Sequence, residues 1–233
     1  MTKKILFVIS AADHWTLKDG TRRPSGFWAE EVVLPYEKFK AAGYDIAAAT
    51  PGGVSPTVDE LSLRPEYAGG EENAIRMRAA LAEAAELAKP MPIEDVDLTE
   101  YDAVFYPGGF GPMEDLSSDT ASAKLLAGTL KSGKILALVC HGPAALLATV
   151  DTRGASPFHG YRLTGFSNAE EALGGVSDQA KWLLQDRLEQ ELAADYVEGA
   201  SYQPHTVTDR NLYTGQNPAS AAPLADEVLK ALA

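Results

Sequence analysis

Cysteine is almost absent from this chain: Cys140 is the only one in 233 residues, so no internal disulfide can form. Positive charge is also scarce. Twenty basic residues face 33 acidic ones, a formal net charge of −13, and no basic cluster extends beyond Arg22-Arg23. That balance argues against a nucleic-acid or anionic-membrane surface and leaves small molecules or proteins as partners. Long apolar runs are missing as well. None approaches the roughly 20 residues of a membrane span, and the run after Met1-Thr-Lys-Lys is too brief for a signal-peptide core, which predicts a cytoplasmic protein. His14, His159 and His205 make no metal-ligand spacing with each other or with Cys140, so no metal site is expected. Neither Gly52-Gly53 nor Gly174-Gly175 makes a phosphate-binding fingerprint, and no cofactor is expected either. No segment reads as a linker, and with 45% apolar residues, 1–233 read as one domain.

What is present is alternation. Ile5 to Ile9, Tyr44 to Thr50, Tyr101 to Tyr106 and Lys134 to Val139 are mostly apolar runs suited to strands buried on both faces. Between them lie helical patterns: 26–42, with Pro35 expected to kink or interrupt it, 73–89 by propensity, and 120–131. Farther on, 161–164, 205–208 and 211–214 read as strands, and 178–193 and 219–232 as helices. Strands and helices at this pace predict an α/β fold, a mostly parallel sheet with helices on both faces. Ligands of such sheets bind beyond the carboxyl ends of the strands, where Gly108, Gly109 and Cys140 would lie.

Cys140 stands between the run ending at Val139 and His141-Gly-Pro-Ala-Ala-Leu-Leu-Ala148, where a strand would turn sharply into a helix. A side chain at such an elbow projects off the sheet, and the helix N–H groups behind it favour an anion. A thiol pKa below the ordinary value of about 8.5 is therefore expected. Pro107-Gly108-Gly109 suits a tight turn whose N–H groups could face a developing oxyanion. Trp15, Phe27 and Trp28 read as core or as the wall of a pocket.

Several segments taken in order resemble one known family: Glu31 followed by Pro35, Pro107-Gly108-Gly109, Val139-Cys140-His141-Gly142-Pro143, Thr164-Gly165-Phe166 followed by Glu171, and Gly215-Gln-Asn-Pro-Ala-Ser220. The chain is similar to the class I glutamine amidotransferase-like superfamily, in its PfpI/DJ-type branch, and there to the stress-response proteins with glutathione-independent glyoxalase III activity. The resemblance implies a flavodoxin-like α/β/α sandwich with a nucleophile elbow and a homodimer. It also implies Cys140 as nucleophile, His141 as its acid/base partner, Glu171 rather than Glu170 as the acid orienting His141, and Glu31 rather than Glu30 beside the sulfur. Two anions there would repel, so one of that pair should be protonated. Gly108, Gly109 and His141 are the implied oxyanion and substrate contacts. Relatives often carry His where this chain has Phe110, which removes a polar group from the rim. The implied reaction is conversion of methylglyoxal or a related 2-oxoaldehyde to a 2-hydroxy acid through a Cys140 hemithioacetal. A cysteine-dependent amidase or peptidase, and a non-enzymatic chaperone or redox sensor, are the alternatives.

Overall fold

The computed structural model describes residues 3–233. Seven strands form its main sheet: β1 (Lys4–Val8), β2 (Asp45–Thr50), β3 (Met91–Pro92), β4 (Ala103–Tyr106), β5 (Ile135–Val139), β6 (Thr206–Asp209) and β7 (Leu212–Gly215). Their order across the sheet is β6-β7-β5-β4-β1-β2-β3. All neighbours are parallel except the edge pair β6 and β7, an antiparallel hairpin.

Side chains alternate along the central strands, and each parity buries against its own helical layer. Ile5, Phe7, Phe105, Ala137 and Val139 face the side covered by α1 (Ala29–Ala41) and by Leu224 and Val228 of the C-terminal helix. Leu6, Val8, Val104, Leu136 and Leu138 face the other side, with Leu126, Leu146 and Leu184. Helices on both faces leave the strands no solvent-facing side, which explains their unbroken apolar runs.

The helices start and stop where local chemistry directs. In α3 (Thr120–Ser132), which follows α2 (Glu71–Glu83), the Asp119 side chain accepts from Ser122 N–H, and left-handed Gly133 ends the helix. A short helix covers Asn168–Leu173, and α4 spans Leu184–Glu191. In α5 (Ala221–Leu232) the buried residues Ala221, Leu224, Ala225 and Val228 make one stripe at helical spacing.

Several expectations are corrected. Pro35 does not interrupt α1; its ring is buried, and packing offsets the one backbone bond it removes. The helix expected over 73–89 breaks at Ala84, followed by a separate turn, Ala85–Ala88. Residues 178–183 stay outside the helix expected to include them, although buried Ala180, Leu184 and Leu188 keep helical spacing. The strand expected at 161–164 is only Arg162–Leu163, which leaves the main sheet to pair with Asp195–Tyr196. A hairpin of His14–Thr16 and Arg22–Pro24 was not anticipated, since its strands are too short to show a pattern.

The ring of Phe105 lies 5.0 Å from Phe7 and 5.9 Å from Phe39, centroid to centroid, where sheet meets α1. Phe105→Ala should cost about 3–5 kcal/mol of stability. A denaturant midpoint unchanged from wild type would contradict this account of the core.

Candidate active site

The backbone bends hardest at the end of β5. Cys140 has a φ of +59°, a left-handed conformation that costs a side-chain-bearing residue roughly 1–3 kcal/mol. It is pinned from both sides: its N–H donates to Gly215 O at 2.9 Å and its carbonyl accepts from Phe166 N–H at 2.8 Å. The bend lets consecutive side chains meet, with His141 Nδ1 standing 3.3 Å from Cys140 Sγ. A short 3₁₀ helix, Gly142–Thr149, follows where an ordinary helix was expected. Opposite the elbow, Gly108 follows β4 so closely that a Cβ there would lie 2.6 Å from His141 N and 2.8 Å from Val139 O. Only glycine fits.

His141 is buried, and its Nε2 lies 2.7 Å from Glu171 Oε1. A carboxylate can only accept, so Nε2 carries the proton and Nδ1 turns a lone pair toward the sulfur. Phe110 and Phe166 enclose the imidazole, each with its ring centroid 4.6 Å away.

Glu170 and Glu171 are both fully buried and do different things. Glu170 caps its own helix with Ser167 and accepts from Tyr202 N–H, Gln216 Nε2 and Asn217 Nδ2, so it ties the surrounding loops together. Of the Glu171 oxygens, Oε1 meets His141 and Oε2 has no protein partner.

Glu31, fully buried on α1, accepts from Gly108 N–H at 2.6 Å through Oε2, while Oε1 lacks a partner of hydrogen-bond geometry. Burial pushes its carboxyl up to about 8, opposed by the nearby Cys140 thiol and by the Gly108 N–H. Burial also pushes the Cys140 thiol up, and the Glu31 charge adds to the rise; the Gly109 N–H aimed at the sulfur opposes it. The low thiol pKa expected from the elbow is thus corrected, because dehydration and an acidic neighbour outweigh the backbone dipoles. Below about pH 8 both groups of the pair hold their protons. The oxyanion expectation narrows too: Gly108 N–H is taken by Glu31, which leaves Gly109 N–H at the sulfur.

Cys140, His141, Gly109, Phe110, Phe166 and Tyr202 help line a cavity of about 430 Å³. Trp28 also borders it, whereas Trp15 and Phe27 are buried in the core. The sequence reading missed Tyr202 and Arg23 at the cavity, and no motif marks either. Among the described residues no cluster of three His, Cys, Asp or Glu side chains could hold a metal ion, and no helix is long and apolar enough to cross a membrane.

A cysteine on a strained strand-to-helix turn, beside a histidine oriented by a buried acid, defines an α/β protein built around a nucleophile elbow. The chain belongs to the DJ-1/PfpI family, whose pattern its residues 24–231 match. It is 28% identical over 233 residues to Glyoxalase 3 of Candida albicans, covering 98% of each chain. The crystal structure of glyoxalase III from that organism superposes with a TM-score of 0.84 at 27% identity, over 98% of this chain and 97% of that one. Protein/nucleic acid deglycase HchA of Staphylococcus aureus is 26% identical over 238 residues, 98% of this chain and 81% of the relative. The Rapid Encystment Protein 24 kDa of Francisella tularensis matches with a TM-score of 0.86 at 25% identity over the full length of both chains.

The pair chemistry predicts a pH dependence. In the unfolded chain Glu31 loses its proton near 4.5; in the folded protein it keeps the proton to about 8. Between those values the unfolded state binds fewer protons, so stability from this group is full below 4.5 and lost as pH rises toward 8. Glu31→Gln should lose less stability than wild type between these pH values in denaturant titrations. The same variant removes an anion from beside the sulfur, so alkylation of Cys140 by iodoacetamide should reach half its maximal rate at lower pH. Superimposable wild-type and variant curves in both experiments would mean that Glu31 and Cys140 do not share protons.

Proposed function

We propose that this protein is a glutathione-independent glyoxalase III-like enzyme that converts methylglyoxal or a related 2-oxoaldehyde to the 2-hydroxy acid. The observation that carries this reading is the contact of one buried thiol with both a lone-pair-bearing histidine and a carboxyl protonated near neutral pH. The likeness to Glyoxalase 3 over nearly the whole chain supports the substrate class.

The thiol rests protonated. As Cys140 Sγ bonds to the aldehyde carbon, its proton passes to His141 Nδ1 and on to the former carbonyl oxygen, which gives a hemithioacetal. Glu171 holds the imidazolium formed in passing. Gly109 N–H is the donor for the oxygen that gains charge. The hydrogen on the aldehyde carbon then passes as a proton to His141 Nδ1, the neighbouring carbonyl oxygen gains one from Glu31, and an enediol results. Reprotonation at the second carbon, with loss of the first oxygen's proton, leaves a thioester. Water cleaves it, the 2-hydroxy acid departs, and the sulfur regains its proton. One carbon is oxidised and its neighbour reduced, so water is the only other reactant. A carboxyl that titrates near 8 suits these exchanges at neutral pH.

The deglycase name of the Staphylococcus aureus relatives favours a second reading, protein or nucleic acid deglycation at the same thiol. The purified chain should form lactate from methylglyoxal without glutathione. Cys140→Ala should abolish lactate formation, and Glu31→Gln should slow it by about 10²–10⁴-fold, the usual worth of a general acid or base. Release of free amines from methylglyoxal-glycated protein or nucleotides, without lactate from free methylglyoxal, would select the deglycase reading instead.

A further inference from the structure

The hairpin of His14–Thr16 and Arg22–Pro24 takes no part in the chemistry above, yet both of its strands hold one ring of the cavity wall. Trp15 stacks on Phe110, centroids 4.2 Å apart and planes within 6°. Arg23, from the other strand, sets its guanidinium carbon 5.6 Å from the centre of the same ring. Phe110 in turn packs on His141, so the hairpin places a half-buried cation at the mouth of the thiol cavity.

That cation has no acidic partner among the described residues. Arg22 next to it has Asp13 Oδ1 at 3.7 Å and His14 Nδ1 at 2.9 Å. Among the described residues, no carboxylate lies within 4.0 Å of Arg23. In a chain of net charge −13, a guanidinium left without an acid beside a nucleophile stands out as a seat for an anion. Glu30 and Glu66 also line the cavity, so an anionic group would be repelled from their side and would have only the Arg23 side to occupy. Size points the same way. A cavity of about 430 Å³ lies in the range that holds drug-sized ligands, far more room than a three-carbon aldehyde fills.

We propose that Arg23 binds a carboxylate on the substrate, so that the preferred substrates are 2-oxoaldehydes carrying an anionic tail a few atoms from the dicarbonyl. This substrate class rests on the thiol-addition chemistry proposed above. With 4,5-dioxopentanoate as probe, the aldehyde carbon becomes a carboxylate, the adjacent ketone carbon becomes a carbinol, one water is consumed, and 2-hydroxyglutarate forms. The tail carboxylate is unchanged and no external oxidant is needed.

The test compares kcat/KM for 4,5-dioxopentanoate and for methylglyoxal, without glutathione, in wild type, Arg23→Gln and Arg23→Lys. Wild type should favour the carboxylate substrate by about tenfold or more, mainly through KM, which is the order of one charge-assisted hydrogen bond. Arg23→Gln should reduce that ratio about tenfold, and Arg23→Lys should restore most of it. Binding is read separately in Cys140→Ala protein, by titrating 2-hydroxyglutarate against the fluorescence of the nearby tryptophans, with and without Arg23→Gln. Turnover of methylglyoxal with a ratio indifferent to Arg23 would overturn the anion seat and leave the thiol chemistry standing. Binding of 2-hydroxyglutarate that depends on Arg23, without turnover of either aldehyde in wild type, would keep the seat and overturn the reaction. Failure of both readouts would overturn both.

Discussion

The left-handed turn at Cys140 is the constraint on which the rest of the site depends. A residue with a φ of +59° at the end of a buried strand is held there only because its neighbours leave no alternative. Gly215 on the adjacent strand accepts its N–H, Phe166 holds its carbonyl, and Gly108 gives up a side chain so that the next strand's turn can close on it. The return is that Cys140 and His141, adjacent in the chain, become a hydrogen-bonding pair. On a regular helix or strand they would diverge.

Burial then decides how the groups share protons. Glu31 and Cys140 lie together out of water, where two negative charges cannot coexist, and the pair keeps its protons near neutrality. In the mechanism proposed above, a thiol held this way is quiet until His141, oriented by Glu171, takes its proton as the sulfur bonds to carbon. The neighbouring acids of the helix beginning at Asn168 divide the work. Glu170 spends both oxygens on the loops around the site, while Glu171 gives one to the imidazole. An anion with its hydrogen bonds filled stabilises structure; one with a single strong partner directs it.

The same sheet and elbow serve many DJ-1/PfpI proteins, and fold by itself does not choose a substrate. The proposed substrate choice falls to the rim. Phe110 supplies an apolar face against which Trp15 stacks and over which Arg23 lies, so the cavity mouth is set by a hairpin inserted after β1 rather than by the parallel core.

The sheet and the place of the thiol are legible in the amino-acid order alone. Continuous apolar runs mark strands buried on both faces, and a lone cysteine between such a run and Gly142-Pro143 marks the elbow. The resemblance carried by Glu31, His141 and Glu171 named residues that the fold then brought within reach of the sulfur or of one another. What periodicity could not reach were the two- and three-residue strands, the break at Ala84, the uninterrupted passage of α1 through Pro35, and the roles of Tyr202 and Arg23 at the cavity. Each depends on contacts between segments far apart in the chain. The thiol's proton affinity was the sharpest reversal. An elbow viewed locally lowers a pKa through its dipoles, but dehydration and the proximity of Glu31, 109 positions earlier in the chain, raise it. Those two effects exist only once the tertiary structure has closed around the sulfur.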